Sequence, residues 1–238
     1  MTRSTSTAVP TPTVSPFLLA ETGAVSRRIE ALGVARTLRT GEHLYRQGDT
    51  SATFHVIVRG RVRIHMVRPD GTVRVISWAE PGASLGEGPC FDGAPHPVTA
   101  AAVVPTEIRS IGRDALIEAA REDPELLVEV VRRVAHKQRV LHLHVCLDGL
   151  PARERVALLL GHLVEAYGEG ALGAPTTQAR LSVRPPVDEL ALMVGLTRVT
   201  TSRELSRLVA EGVLRKDGRS IVVRDLPSLR RRVDAVAV

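Results

Sequence analysis

Apolar residues recur along this chain with two different periods, and the change of period divides it. From Ile29 to about Arg109 the apolar runs are short, alternate with polar residues, and are punctuated by glycine and proline. Residues 52–58 read as a strand closed by Arg59-Gly60, and 61–66 as the next, with Val62, Ile64 and Met66 on one face. Pro69-Asp70-Gly71 is a hairpin turn leading to a strand over 72–78. Pro81-Gly82, a loop at Gly86-Glu87-Gly88 and a final strand around 98–104 follow. Strands at this spacing predict an antiparallel barrel or sandwich. After Asp123-Pro124 the pattern changes. Leu127, Val131, Val134, Gln138, Leu141 and Val145 are separated alternately by four and three residues, a heptad seam with one polar position. One long helix with such a seam needs a partner, and two-fold pairing of identical chains buries the same stripe twice.

Asp148-Gly149 ends that helix, and Pro151 suits the first turn of another, whose broad apolar face is Val156, Leu159, Leu160, Leu163, Val164 and Tyr167. Residues 168–186 read as a loop holding a strand at 180–183. Beyond it Leu190, Ala191 and Val194 form a helical stripe. Gly195 permits a tight turn, Leu196 is an apolar plug, and Thr197 is a good N-cap for a second helix burying Leu205 and Leu208. Arg198, Val199, Ser202, Arg203 and Ser206 fall on its other faces. A hairpin with its turn at Asp217-Gly218 follows. Helix-turn-helix plus hairpin is a winged helix, which places one helix in a DNA major groove.

Charge agrees with that reading. The net charge is +6, and 14 basic against 10 acidic side chains fall in residues 150–238, leaving 18 and 16 for the rest. The excess therefore concentrates in the smaller part, as polyanion binding requires. Only Lys137 and Lys216 are lysines; all other basic residues are arginine, which suits bidentate contacts to phosphate and guanine. Two cysteines, Cys90 and Cys146, provide neither a disulfide framework nor four ligands for an iron–sulfur cluster. No run reaches transmembrane length and no apolar leader opens the chain, so a cytoplasmic protein without a membrane partner is expected. No nucleophile elbow, Walker loop or metal-protease motif is present, and an enzyme is not expected.

In this order, a small strand domain, a dimerising helix and a winged helix resemble the CRP/FNR superfamily of bacterial transcription regulators. Five stretches carry the likeness: Gly41-Glu-His-Leu-Tyr-Arg-Gln-Gly-Asp49, Phe54-His-Val-Ile-Val-Arg-Gly60, Gly82-Ala-Ser-Leu-Gly-Glu87, Gly195-Leu-Thr-Arg-Val-Thr-Thr-Ser-Arg203 and Gly218-Arg-Ser-Ile-Val-Val223. The resemblance implies an α+β fold: a disordered tail over 1–20, an antiparallel β-roll sensor domain over 21–122, a dimerisation helix over 123–148 and a winged helix-turn-helix over 149–238. It implies a homodimer on inverted-repeat double-stranded DNA, working with RNA polymerase, with Leu127, Val131, Val134, Gln138, Leu141 and Val145 between the chains. Thr197, Arg198, Val199, Thr200, Ser202, Arg203, Ser206 and Arg219 are then the expected DNA contacts.

In cyclic-nucleotide-binding relatives a Gly-Glu pair opens the phosphate cassette and an Arg-Ser pair follows. Here Gly86 and Glu87 match, but Pro97 and Val98 stand where Arg-Ser is expected. Leu141 and His142 replace the hydroxyls that face adenine. Gly86, Glu87, His96, Leu141 and His142 are the candidate ligand residues, yet cyclic AMP is not expected to bind. The effector is left open and no cofactor or metal is expected. His142, His144 and Cys146 share a helix, and haem is the alternative they raise, since His142 and Cys146 lie at i and i+4. A cyclic-nucleotide-binding module of a kinase or channel is the other alternative, against which the winged helix argues.

Overall fold

The computed structural model describes residues 14–20, 24–169, 178–181, 185–217 and 220–234. Its elements run β1 (Leu18–Leu19), α1 (Ala24–Ala31), β2 (Val34–Leu38), β3 (His43–Tyr45), β4 (Thr53–Arg59), β5 (Val62–Val67), β6 (Val73–Ala79), β7 (Ser84–Leu85), α2 (Glu87–Asp92), β8 (Thr99–Ala102), β9 (Thr106–Gly112), α3 (Arg113–Glu122) and α4 (Glu125–Asp148). The second half adds α5 (Ala152–Tyr167), β10 (Gly168–Glu169), β11 (Ala179–Leu181), α6 (Val187–Val194), α7 (Arg198–Ala210), β12 (Leu214–Asp217), β13 (Ser220–Val223) and α8 (Leu226–Asp234).

The strand domain is two sheets, ordered β1-β6-β5-β8-β3 and β2-β9-β4-β7. Between them lie Leu38, Ile57, Val62, Ile64, Leu85, Ala100 and Ile108. Aromatics are scarce, and small Ala100 and Ala102 let the sheets approach where bulk is lacking. A second core gathers Ile29, Phe54, Ile111 and Leu116 with Leu126 and Val130 of α4, seating the long helix on the roll. The third sheet, ordered β10-β11-β13-β12, is the wing.

Several expectations change. Phe17, Leu18 and Leu19 are buried, and β1 pairs in parallel with Trp78 and Ala79, so the supposed tail includes a structural segment. A Phe-Leu-Leu triplet has apolar surface enough to dock, which a window dominated by Ser, Thr and Pro conceals. The remainder of that tail, 1–13, lies outside the described residues. The alternation in β5 breaks between Ile64 and His65, where the register shifts, so His65 turns inward and Met66 is only half-buried. The Gly86-Glu87-Gly88 loop is the start of helix α2, with Gly86 at φ 89° as its N-cap. The last strand of the roll is β9, which pairs with both β2 and β4. The expected strand at 180–183 appears as Ala179–Leu181, and residues 182–184, 218 and 219 are outside the described set.

Candidate nucleic-acid interface and effector site

The reading helix is built as its sequence requires. Helix α6 ends at Gly195, whose φ of 66° lies in the left-handed region that a side chain resists. Thr197 then caps α7, its hydroxyl accepting the Thr200 N–H at 3.1 Å. Leu190, Ala191, Val194, Leu205 and Leu208 are buried, while Leu196 is only half-buried. Arg198, Val199, Ser202, Arg203 and Ser206 are exposed, and the Thr200 hydroxyl lies 2.9 Å from that of Thr197. Val199 is 76% exposed. A valine so placed leaves apolar surface in water, which an interface can cover. Arg198 is held by Asp188 of α6 at 3.0 Å, a carboxylate that pattern reading passed over. Arg203 lies 3.6 Å from the buried Glu204, which also accepts from Arg207. Arg219 lies outside the described residues.

Helix α4 has two apolar faces. One, with Leu126, Val130, Val140, Leu143 and Leu147, is buried within the chain. The other carries the heptad seam: Leu127, Val134 and Leu141 are 39%, 46% and 53% exposed, and Val131 and Val145 67% and 74%. Gln138 lies among them, also exposed. The seam period and the packing period thus occupy different sides of one cylinder.

At the roll's corner, Glu87 is buried and accepts from the Ser84 hydroxyl and from Lys137 of α4, whose ammonium lies 2.7 Å from Glu87 Oε1 and 2.6 Å from the Ser84 carbonyl. Burial opposes ionisation of Glu87, but the Lys137 ammonium and the Ser84 hydroxyl hold its pKa below the ordinary carboxylate value. Arg133 adds a bond to the Gly82 carbonyl at 2.9 Å. Gly86 approaches the edge of His96, which stacks on Tyr45 at 3.7 Å between centroids. Burial pushes the Tyr45 phenol far up, helped by the nearby Glu87 charge. His96 is lowered by burial, and His55 falls to about 4 through burial and then the Arg36 and His96 charges.

Gly86, Glu87 and His96 are therefore brought together, while Leu141 and His142 are not: both are exposed on the seam side of α4. Sequence reading missed Lys137 and Tyr45 here. A lone lysine among arginines, on the flank of the seam, was the available signal. The residues present fit a cyclic nucleotide poorly: Pro97 and Val98 offer no guanidinium or hydroxyl, and Glu87 is already engaged by Lys137 and Ser84. Of the three residues that raise haem, His144 parts from the other two. His144 is buried with Nε2–H on the Ile76 carbonyl at 2.7 Å, whereas His142 and Cys146 face outward. Among the described residues no group of three or more His, Cys, Asp or Glu is arranged to hold a metal. Nor, among them, is any helix long and apolar enough to cross a membrane.

Comparison with known proteins agrees with the geometry. Residues 35–123 match the cyclic nucleotide-binding domain family, and residues 154–232 the Crp-like helix-turn-helix domain family. The chain is 30% identical to the nitrogen fixation regulation protein FixK of Rhizobium meliloti, over 82% of this chain and 84% of that one. It is 28% identical to the CRP-like cAMP-activated global transcriptional regulator of Mycobacterium tuberculosis, over 81% and 84%. The solved structure of FixK2 from Bradyrhizobium japonicum superposes with a TM-score of 0.70 at 25% identity, covering 84% of this chain and 96% of that one.

Proposed function

The chain belongs to the CRP/FNR superfamily of transcription regulators, and from that premise we propose that it works as a homodimer reading an inverted-repeat operator. The observation that carries this is α4, with one face spent on its own roll and a heptad seam, apolar at every position but Gln138, left exposed on the other. Pairing two seams presents two α7 helices to successive major grooves, about 34 Å apart. The protein then acts in the cytoplasm, at promoters, alongside RNA polymerase.

Within each half-site, Arg203 pairs with guanine O6 and N7, and Val199 packs its methyls on a thymine C5-methyl. Arg198 leaves Asp188 for a phosphate, and the hydroxyls of Thr197, Thr200, Ser202 and Ser206 add contacts around it, with Arg219 reaching from the wing. The relatives' names include a cAMP-activated regulator, but a different control suits this chain. Lys137 and Arg133 already tie α4 to the corner of the roll that carries Glu87. DNA binding in this reading needs no small molecule. An electrophoretic shift with promoter fragments and no additive tests it: a saturable complex is expected, and a complex formed only after adding cyclic AMP overturns the effector-free form.

A further inference from the structure

The DNA-reading half and the roll share one apolar core, in which Val75 and Trp78 of β6 sit with Leu190, Met193 and Val194 of α6. At its edge Glu189 of α6 accepts from Trp78 Nε1 at 2.9 Å and from Arg63 at 3.1 Å. Arg74, also on β6, has a more singular position. It is 3% exposed, and its guanidinium pairs with Asp148, the last residue of α4, at 3.1 Å. The same group lies 3.5 Å from His144 Nδ1, on a ring whose Nε2–H donates to the Ile76 carbonyl. Its other side presses on the turn between α6 and α7, where a Cβ on Gly195 would overlap the guanidinium. Arg155 of α5 completes the joint, donating to the Val194 carbonyl at 3.3 Å and lying 3.4 Å from Asp148. One planar side chain thus touches the roll, the end of the seam helix and the turn of the reader.

Resting on the dimeric DNA-reading function above, we propose that Arg74 is a positioning residue for DNA recognition, fixing the angle of the helix-turn-helix against α4. In a two-fold dimer that angle sets the separation of the two α7 helices. The guanidinium suits the task because it is rigid and broad, with one end on Asp148 and the other on Gly195. A lysine offers one point charge on a flexible stem and spans only one of these contacts. Gly195 answers two demands, the left-handed turn and the room for Arg74.

The test uses the full chain and duplexes bearing two copies of its selected half-site, with the spacing changed by one and two base pairs, beside a duplex with a single half-site. The variants are Arg74→Lys and Asp148→Asn, the second removing the anchor at a partly exposed position and leaving the guanidinium in place. Each is expected to lose about tenfold or more on the optimal inverted repeat, from the forfeited advantage of simultaneous engagement. Preference among spacings should flatten, while single half-site affinity and dimerisation stay as in the wild type. Retained spacing preference in both variants overturns the proposal, and so does an equal loss on the single half-site, which marks a general structural defect. A wild type that binds none of the duplexes refutes the DNA-reading function itself, and the proposal with it.

Discussion

Val131→Ala isolates the seam of α4. The substitution removes two methyl groups, worth about 1.6 kcal/mol if fully transferred out of water, from about 0.8 kcal/mol per carbon. Val131 is 67% exposed within the chain, so two-thirds of that surface remains for a partner to cover. Dimerisation should therefore lose about 1 kcal/mol per chain and about 2 kcal/mol per two-fold pair, roughly a 30-fold rise in the dimer Kd. The isolated chain should not suffer, because little is buried there and alanine is the better helix former. Sedimentation equilibrium over a concentration series measures the Kd, and urea unfolding at high dilution measures the chain. Val34→Ala, 74% exposed on β2 and away from the seam, is the control. A Kd for Val131→Ala within a few-fold of wild type, or an equal rise for Val34→Ala, refutes the assignment of the seam.

Glu87→Gln should cost about 3–5 kcal/mol in urea unfolding, because it strips Lys137 of its buried partner; a loss under 1 kcal/mol shows the pair is wet and open. Titration calorimetry of the wild-type protein with cyclic AMP should give no saturable heat, and micromolar binding that Glu87→Gln abolishes contradicts a Glu87 committed to Lys137. Acid should destabilise the fold through His55, whose folded pKa of about 4 lies below the unfolded value near 6.5, burial being the larger cause and Arg36 the next. The unfolded chain takes up that proton first as pH falls, so stability is complete above about 6.5 and declines toward 4, by about 2 kcal/mol at pH 5. Chemical denaturation at pH 7 and pH 5 should show His55→Gln losing about that much less than wild type, and parallel losses discount the residue.

The helix-turn-helix was legible because local chemistry dictates it. Gly195 and Thr197 are constrained by their own backbone, and the stripe of Leu190, Val194, Leu205 and Leu208 follows from helical period alone. The seam was legible for the same reason. The roll was read only in part. Short β7 and α2 lie below the length at which a period can be seen, and the bulge at Ile64 reverses the faces of β5 partway. Phe17 illustrates a tertiary cause: its burial against His144 and His162 depends on two helices over a hundred residues away. The corner at Glu87 was placed by motif, but its occupant was not. Lys137 reaches it only because α4 crosses the roll there, and no local pattern announces that crossing. Leu141 and His142 are ligand candidates by analogy alone, and in this chain both lie exposed, Leu141 on the seam itself.

In-vitro selection of binding sites from random duplex DNA, without any added small molecule, tests the central claim most directly. The wild type should enrich an inverted repeat with half-site centres about one helical turn apart, each half-site holding one invariant guanine. Arg203→Ala should lose about 1–3 kcal/mol and relax that guanine, whereas Val199→Glu should shift selection beside it toward cytosine. Enrichment of isolated half-sites, or an unchanged half-site in both variants, would contradict a dimer that reads DNA through the exposed face of α7.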